Sequence, residues 1–221
     1  MENKIYHPFS AIVSGPSGSG KSYFVVNFLK NVGNICNVVF ERIVWHYAEW
    51  QELYDDLKGI EFHQGLPDMS NFDGLKPTLV IIDDLMRESN GSMVDIFTKG
   101  CHHRNLSVFF LTQNIFHQGK GQRDISLNAH YIILFKNPRD RAQIKHLTRQ
   151  ILPENSKFLE EAYNDATSKP HGYLLFDLKQ STPDVFRYRT SIFEEDGACV
   201  VYTPKKGIKG LNLDKLGIIN L

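Results

Sequence analysis

Residues Gly15–Ser22 read GPSGSGKS, and the reading of the whole chain works outward from that octapeptide. It satisfies G-x-x-x-x-G-K-[S/T], a spacing in which glycines free the backbone to wrap an anion and the last residues open a helix. Phe9–Ser14 (FSAIVS) before it is a short apolar run of the kind that forms a buried strand. Ser22–Lys30 (SYFVVNFLK) after it is apolar at Tyr23, Phe24, Val25, Val26, Phe28 and Leu29, with Gly33 beyond as a stop signal. A strand, a glycine turn and a helix in that order aim main-chain amides and the positive end of a helix dipole at one point, which makes a site for phosphate. The pattern predicts that Gly15, Pro16, Ser17, Gly18, Ser19, Gly20, Lys21 and Ser22 cradle the phosphates of ATP. Lys21 is expected on the β- and γ-phosphates, and the Ser22 hydroxyl on Mg²⁺.

A magnesium-bound triphosphate needs a second element, and Leu79–Leu85 (LVIIDDL) supplies it: an apolar strand that ends in carboxylates. Asp83 is the candidate to complete the metal shell with Ser22. Asp84 follows, where many ATPases with an additional central strand place a Glu that polarises the attacking water. Taken alone, a strand ending in Asp-Asp is equally compatible with the cap of a following helix; the loop at Gly15 is what gives it meaning. Phe109–Asn114 (FFLTQN) is a third buried run with a polar end. In an additional-strand sheet it lies between the other two, which puts Gln113 near the γ-phosphate as a sensor.

Charge building up on the γ-oxygens is often met by an arginine from a neighbouring subunit. Arg104 in CHHRN is the first candidate, followed by Arg123 in the Gly-rich stretch Gln118–Asp124 and by Arg139 and Arg141 in FKNPRDR. Most surface arginines are merely solvated charges. His102 and His103 have no third ligand at metal-binding spacing and read as surface or interface residues.

The remaining chain fits one α/β domain. Arg42–Tyr47, Ile60–His63, Thr78–Ile82, Leu106–Leu111 and Tyr131–Phe135 read as strands, and Trp50–Leu57, Ser92–His103, Asp140–Ile151 and Phe158–Thr167 as helices. Tyr173–Asp177 and Val185–Arg189 read as strands at the sheet edge. The alternation predicts a three-layer P-loop NTPase fold with an additional central strand, its sheet mostly parallel and helices on both faces. Residues 1–203 form the ATPase domain, and 204–221, which begin PKKGIKGLNLDK, a loosely attached basic tail.

With 221 residues, 42% hydrophobic and 23% charged, the chain has the composition of an ordinary globular domain. Lys plus Arg equals Asp plus Glu at 25 each, so any nucleic-acid contact must come from local patches. Cys36, Cys101 and Cys199 fit neither a disulfide framework nor a zinc pattern, which points to a reducing compartment. MENKIYHPFSAIVSG lacks the features of a secretory signal, and no apolar run approaches a membrane span. The sequence predicts a soluble, intracellular protein.

Lys99–Phe116 (KGCHHRNLSVFFLTQNIF), Ser126–Ile144 (SLNAHYIILFKNPRDRAQI) and Gly172–Phe193 (GYLLFDLKQSTPDVFRYRTSIF) add a more specific signal. Across Phe9–Phe193 the chain resembles the viral genome-packaging ATPases of the FtsK/HerA superfamily, as found in poxviruses, giant viruses and polinton-like elements. The resemblance implies a homo-oligomeric ring, a hexamer or pentamer, that hydrolyses ATP between subunits and threads double-stranded DNA into a capsid through portal or vertex proteins. It implies work in a host nucleus or a cytoplasmic virus factory, or in association with the virion. Asp84 departs from the Glu usual in that superfamily, and its shorter side chain leaves the base open. Two other classes fit the loop: a small nucleotide kinase, for which no Arg-rich lid is visible, and a non-catalytic nucleotide-binding scaffold.

Overall fold

A computed structural model describes residues 4–85, 94–97, 104–116, 122–204 and 217–220. Among the described residues ten strands form one sheet: β1 Ser10–Ser14, β2 Arg42–Tyr47, β3 Glu61–Gln64, β4 Thr78–Asp83, β5 Leu106–Thr112, β6 Tyr131–Phe135, β7 Tyr173–Asp177, β8 Tyr188–Thr190, β9 Val200–Thr203 and β10 Gly217–Asn220. Their order is β10-β9-β8-β7-β6-β1-β5-β4-β2-β3. The six strands from β6 to β3 are mutually parallel, while β7, β8 and β9 pair antiparallel with their predecessors. β5 lies between β1 and β4, so the additional central strand is present.

Every residue of β1, β4, β5, β6 and β7 is buried, as strands covered on both faces must be. The two-residue period of a strand sorts their side chains into two cores. In β5, Val108 and Phe110 join one core and Phe109 and Leu111 the other. Helix α1, Lys21–Lys30, packs Phe24, Val25, Val26 and Phe28 onto the second core, and helices Ala142–Ile151 and Ser156–Ala166 bury Leu147, Phe158 and Leu159 in the first. Helix, sheet and helix make three layers, the P-loop NTPase architecture.

Four elements differ from the sequence expectation. Trp50–Leu57 is no helix; it contains a single 3₁₀ turn, Glu52–Tyr54. A helix of eight residues has little stability of its own. Tyr54 is held instead by rings 5.0 Å away in Trp45 and 5.3 Å away in Phe62. Val185–Arg189 divides into a 3₁₀ turn at Asp184–Phe186 and the strand β8. The sheet does not stop at β8, because β9 continues it and β10 pairs parallel to β9. The loose tail therefore ends in a strand, with Ile219 packed against the first core.

Of the expected helix Ser92–His103, only residues 94–97 are described, and they are helical. His102, His103 and Cys101 lie outside the described residues. In the stretch Gln118–Asp124, residues 118–121 are also outside them, and a helix runs over Gln122–Leu127.

Candidate nucleotide site

The parallel strands bring the ends of β1, β4 and β5 side by side, and the site is built there. Gly15 leaves β1 and donates its N–H to Thr112 O at 3.1 Å, which ties the loop to β5. A Cβ on Gly15 would sit 2.7 Å from Phe135 Cβ and 2.7 Å from Ser19 Oγ, so no larger residue fits. Gly20 caps α1 in the left-handed conformation, φ 106°, where side chains are strained. Ser19 Oγ is buried inside this turn with no hydrogen-bond partner among the described residues. A buried hydroxyl left over in a ring of backbone amides suits an anion with several acceptor oxygens.

Lys21 begins α1 and folds back over the loop, donating from Nζ to Gly15 O at 2.8 Å and Pro16 O at 3.1 Å. Burial lowers its pKa, against the pull of Asp83 and Asp84, which favour the charged form. One residue on, Ser22 Oγ donates to Asp83 Oδ2 at 3.1 Å. Asp83 is the last residue of β4 and is 3% exposed. Burial pushes its carboxyl above the ordinary range, while hydrogen bonds from Tyr54 and Ser22 and the Lys21 charge oppose the shift. A hydroxyl and a carboxylate held at this spacing are the hard oxygen donors that a magnesium ion takes alongside phosphate, so the pair fits that ion.

Asp84 turns sharply out of the strand line, with φ 56°, and its exposed carboxylate accepts from Gln113 Nε2 at 3.2 Å. Lys21, Ser22, Asp83, Asp84 and Gln113 line one cleft of about 410 Å³, shared with Ser17 and Glu52. Five residues singled out from three separate stretches of sequence thus meet in one place.

No protein-family model and no curated protein matches the chain. Among solved structures, it is similar to the genome packaging NTPase B204 from Sulfolobus turreted icosahedral virus 2 in complex with ATP-gammaS. The TM-score is 0.52 at 15% identity over 79% of this chain and 94% of that one. The AMPPCP complex of the same NTPase gives 0.51 at 16% identity, over 82% and 96%. The chain shares the P-loop NTPase fold of those structures.

On that fold Arg104 stands apart from the cleft. It precedes β5, whose seven residues carry the chain about 20 Å toward the nucleotide end. Its Nη1 donates to Met69 O at 2.9 Å and Phe72 O at 2.6 Å, which fastens the turn before β4 to the start of β5. Arg139 and Arg141 are exposed on the segment that follows β6, at the phosphate end of the sheet.

Three residues of the site were not marked by any motif. Tyr54, 1% exposed, donates its hydroxyl to Asp83 Oδ2 at 2.8 Å, and burial beside that carboxylate raises its own pKa far enough to keep it protonated. His171, with φ 60°, donates from Nδ1 to Ser19 O at 3.1 Å and so braces the loop from the outside. Glu52 reaches the cleft from the 3₁₀ turn.

Proposed function

We propose that this chain is an ATP-hydrolysing motor that moves double-stranded DNA into a viral capsid, working as a homo-oligomeric ring with portal or vertex proteins as partners. The observation that carries the ATPase part is the Ser22–Asp83 pair at 3.1 Å, set beneath a glycine turn. The packaging part rests on the sequence resemblance and on likeness in fold to the B204 packaging NTPase.

In this reading the amides of Gly15–Ser22 hold the β- and γ-phosphates, and Lys21 exchanges its carbonyl contacts for phosphate oxygens. Ser22 and Asp83 hold Mg²⁺, which when bound neutralises charge that builds up on the phosphates. Asp84 orients the attacking water, and Gln113, tied to it at 3.2 Å, relays the state of the γ-phosphate. Arg139 and Arg141 are better placed than Arg104 to serve a neighbouring subunit, since both are exposed at the phosphate end. With equal numbers of acidic and basic residues, affinity for DNA arises when several subunits line a channel.

Steady-state hydrolysis of ATP, with and without duplex DNA, tests the proposal. Magnesium-dependent turnover that duplex DNA stimulates and high salt abolishes supports it. Phosphoryl transfer to a small acceptor, with no response to DNA, would replace the motor with a kinase.

A further inference from the structure

Two patches of unlike charge flank the phosphate loop at the same end of the sheet. Residues 49–56 (EWQELYDD) carry four acids and no base. They follow β2, whose last residue, Tyr47, pairs with Asp83. Glu49, Glu52 and Asp56 are exposed and have no ion pair among the described residues. In their midst Trp50 stands 51% exposed, an uncommon place for so large a ring. It is held there: Nε1 donates to Asp55 Oδ1 at 2.9 Å, and the ring lies 5.2 Å from Phe62 and 5.4 Å from both Tyr47 and Tyr54. A rigid aromatic side chain displayed in this way is the usual anchor of a protein interface, because it loses little freedom on burial.

The opposite patch surrounds a cavity of about 360 Å³ on the β6 side of the loop. Pro16, Pro138 and Pro170 line it with apolar surface, Lys136, Lys169 and His171 line it with hydrogen-bond donors, and no acid is among its lining residues. Lys136 and Lys169 are exposed and likewise have no ion pair among the described residues. Lys136 follows β6, and Lys169 and His171 belong to the turn that leads into β7, whose first residue, Tyr173, pairs with Phe135. β6 and β2 are four strand spacings apart, about 19 Å, which is too far for direct ion pairs between the patches of one chain.

We propose that residues 49–56 of one copy of this chain dock on the cavity of a second copy, with Trp50 entering between the prolines and Glu49 and Asp56 facing Lys136 and Lys169. The partner is a second copy because both halves of the contact stand on this one chain, opposite in charge and each unmet at home. Every copy offers one acidic and one basic face, so the contact is head-to-tail and closes into a ring when the rotation allows. The proposal rests on the ring of the proposed function and adds which faces meet. Gln51 and Glu52 line their own phosphate cleft, while the cavity wall includes Pro16 to Ser19 of the loop and His171, which braces that loop through Ser19 O. The contact thereby joins the nucleotide cleft of one copy to the phosphate loop of the next.

Sedimentation velocity of the full chain, with and without magnesium-ATP, measures the contact. Three variants test it: Trp50→Ala, the acidic-face pair Glu49→Lys with Asp56→Lys, and the basic-face pair Lys136→Glu with Lys169→Glu. Each should weaken self-association about tenfold or more. An equimolar mixture of the two charge variants should reassemble, because every reversed face then meets a face of opposite charge, and reassembly shows that both are folded. Variants that assemble as the native chain does overturn the inference and leave the ring to other faces; if the basic-face pair has lost affinity for duplex DNA instead, the cavity is a nucleic-acid contact. Charge variants that are folded by circular dichroism but stay monomeric when mixed overturn it as well. A native chain that stays monomeric at every concentration, with nucleotide and duplex DNA present, removes the ring and this contact together, while its binding of magnesium-ATP would still stand.

Discussion

Tyr54 Oη donates to Asp83 Oδ2 at 2.8 Å, and both groups are buried. The same oxygen receives Ser22 Oγ, so a phenol and a hydroxyl converge on one side of the carboxylate. Tyr54 thereby fixes the direction in which Asp83 faces the loop. Tyr54→Phe should retain the aromatic packing against Trp45 and Phe62 and lower kcat/KM for magnesium-ATP about tenfold, the usual effect of losing a partner behind a metal ligand. The apparent magnesium requirement should rise with it. A magnesium titration of the initial rate checks both.

Gly20→Ala tests the loop itself. Alanine at φ 106° is strained, and its Cβ would meet His171 Nδ1 and Phe135 Cε1 at 3.4 Å. The expected cost is about 1–3 kcal/mol of stability or, if the turn relaxes to avoid it, a loss of nucleotide affinity. Thermal melts with and without magnesium-ATP distinguish these outcomes, and an unaltered melt with unaltered affinity would contradict the geometry.

Stability depends separately on a buried ion pair far along the sheet. Arg189 Nη2 donates to Asp177 Oδ2 at 2.7 Å, with the two side chains 3% and 2% exposed. Arg189→Met strands the Asp177 charge and should cost about 3–5 kcal/mol, read from the denaturant midpoint. Replacing both partners with apolar residues should recover much of that loss, because the desolvation cost disappears with the charge.

Two histidines set a pH dependence. Burial lowers the pKa of His46, helped by nearby His63 and Arg42 and opposed by the bond to Gly65 O. Burial likewise lowers His7, held between Ser107 Oγ and Asn105 Oδ1 at 2.7 Å each. Between the depressed folded value and the ordinary value of 6.5, the unfolded chain binds more protons than the folded one. The stability these groups contribute is complete above that ordinary value and is lost as pH falls through the depressed one. The melting temperature of His46→Gln should therefore fall less than that of the native chain as the pH drops below 6.5. Melting curves across that range decide it.

The parts legible in the sequence were those carried by local patterns. GPSGSGKS, LVIIDDL and FFLTQN each declare a strand end or a helix start within a few residues, and the parallel sheet does no more than set them side by side. Tyr54 and His171 were invisible because their partners lie 29 and 152 residues away. Arg104 was singled out by its charge alone; the two backbone carbonyls that its Nη1 meets, Met69 O and Phe72 O, lie more than 30 residues away in the chain, where no local pattern marks them. β9 and β10, four residues each, were not read as strands, since what makes them strands is pairing with β8 and with each other. The Trp50–Leu57 segment shows the converse failure, since apolar residues at helical spacing there form an aromatic cluster around one turn.

The account turns on whether Lys21 and its loop grip a triphosphate. Equilibrium binding of magnesium-ATP to the native chain and to Lys21→Ala measures this directly. The account predicts saturable binding by the native chain and a loss of about a hundredfold or more in the variant, with the fold intact by circular dichroism. Equal affinity in the two proteins would contradict it.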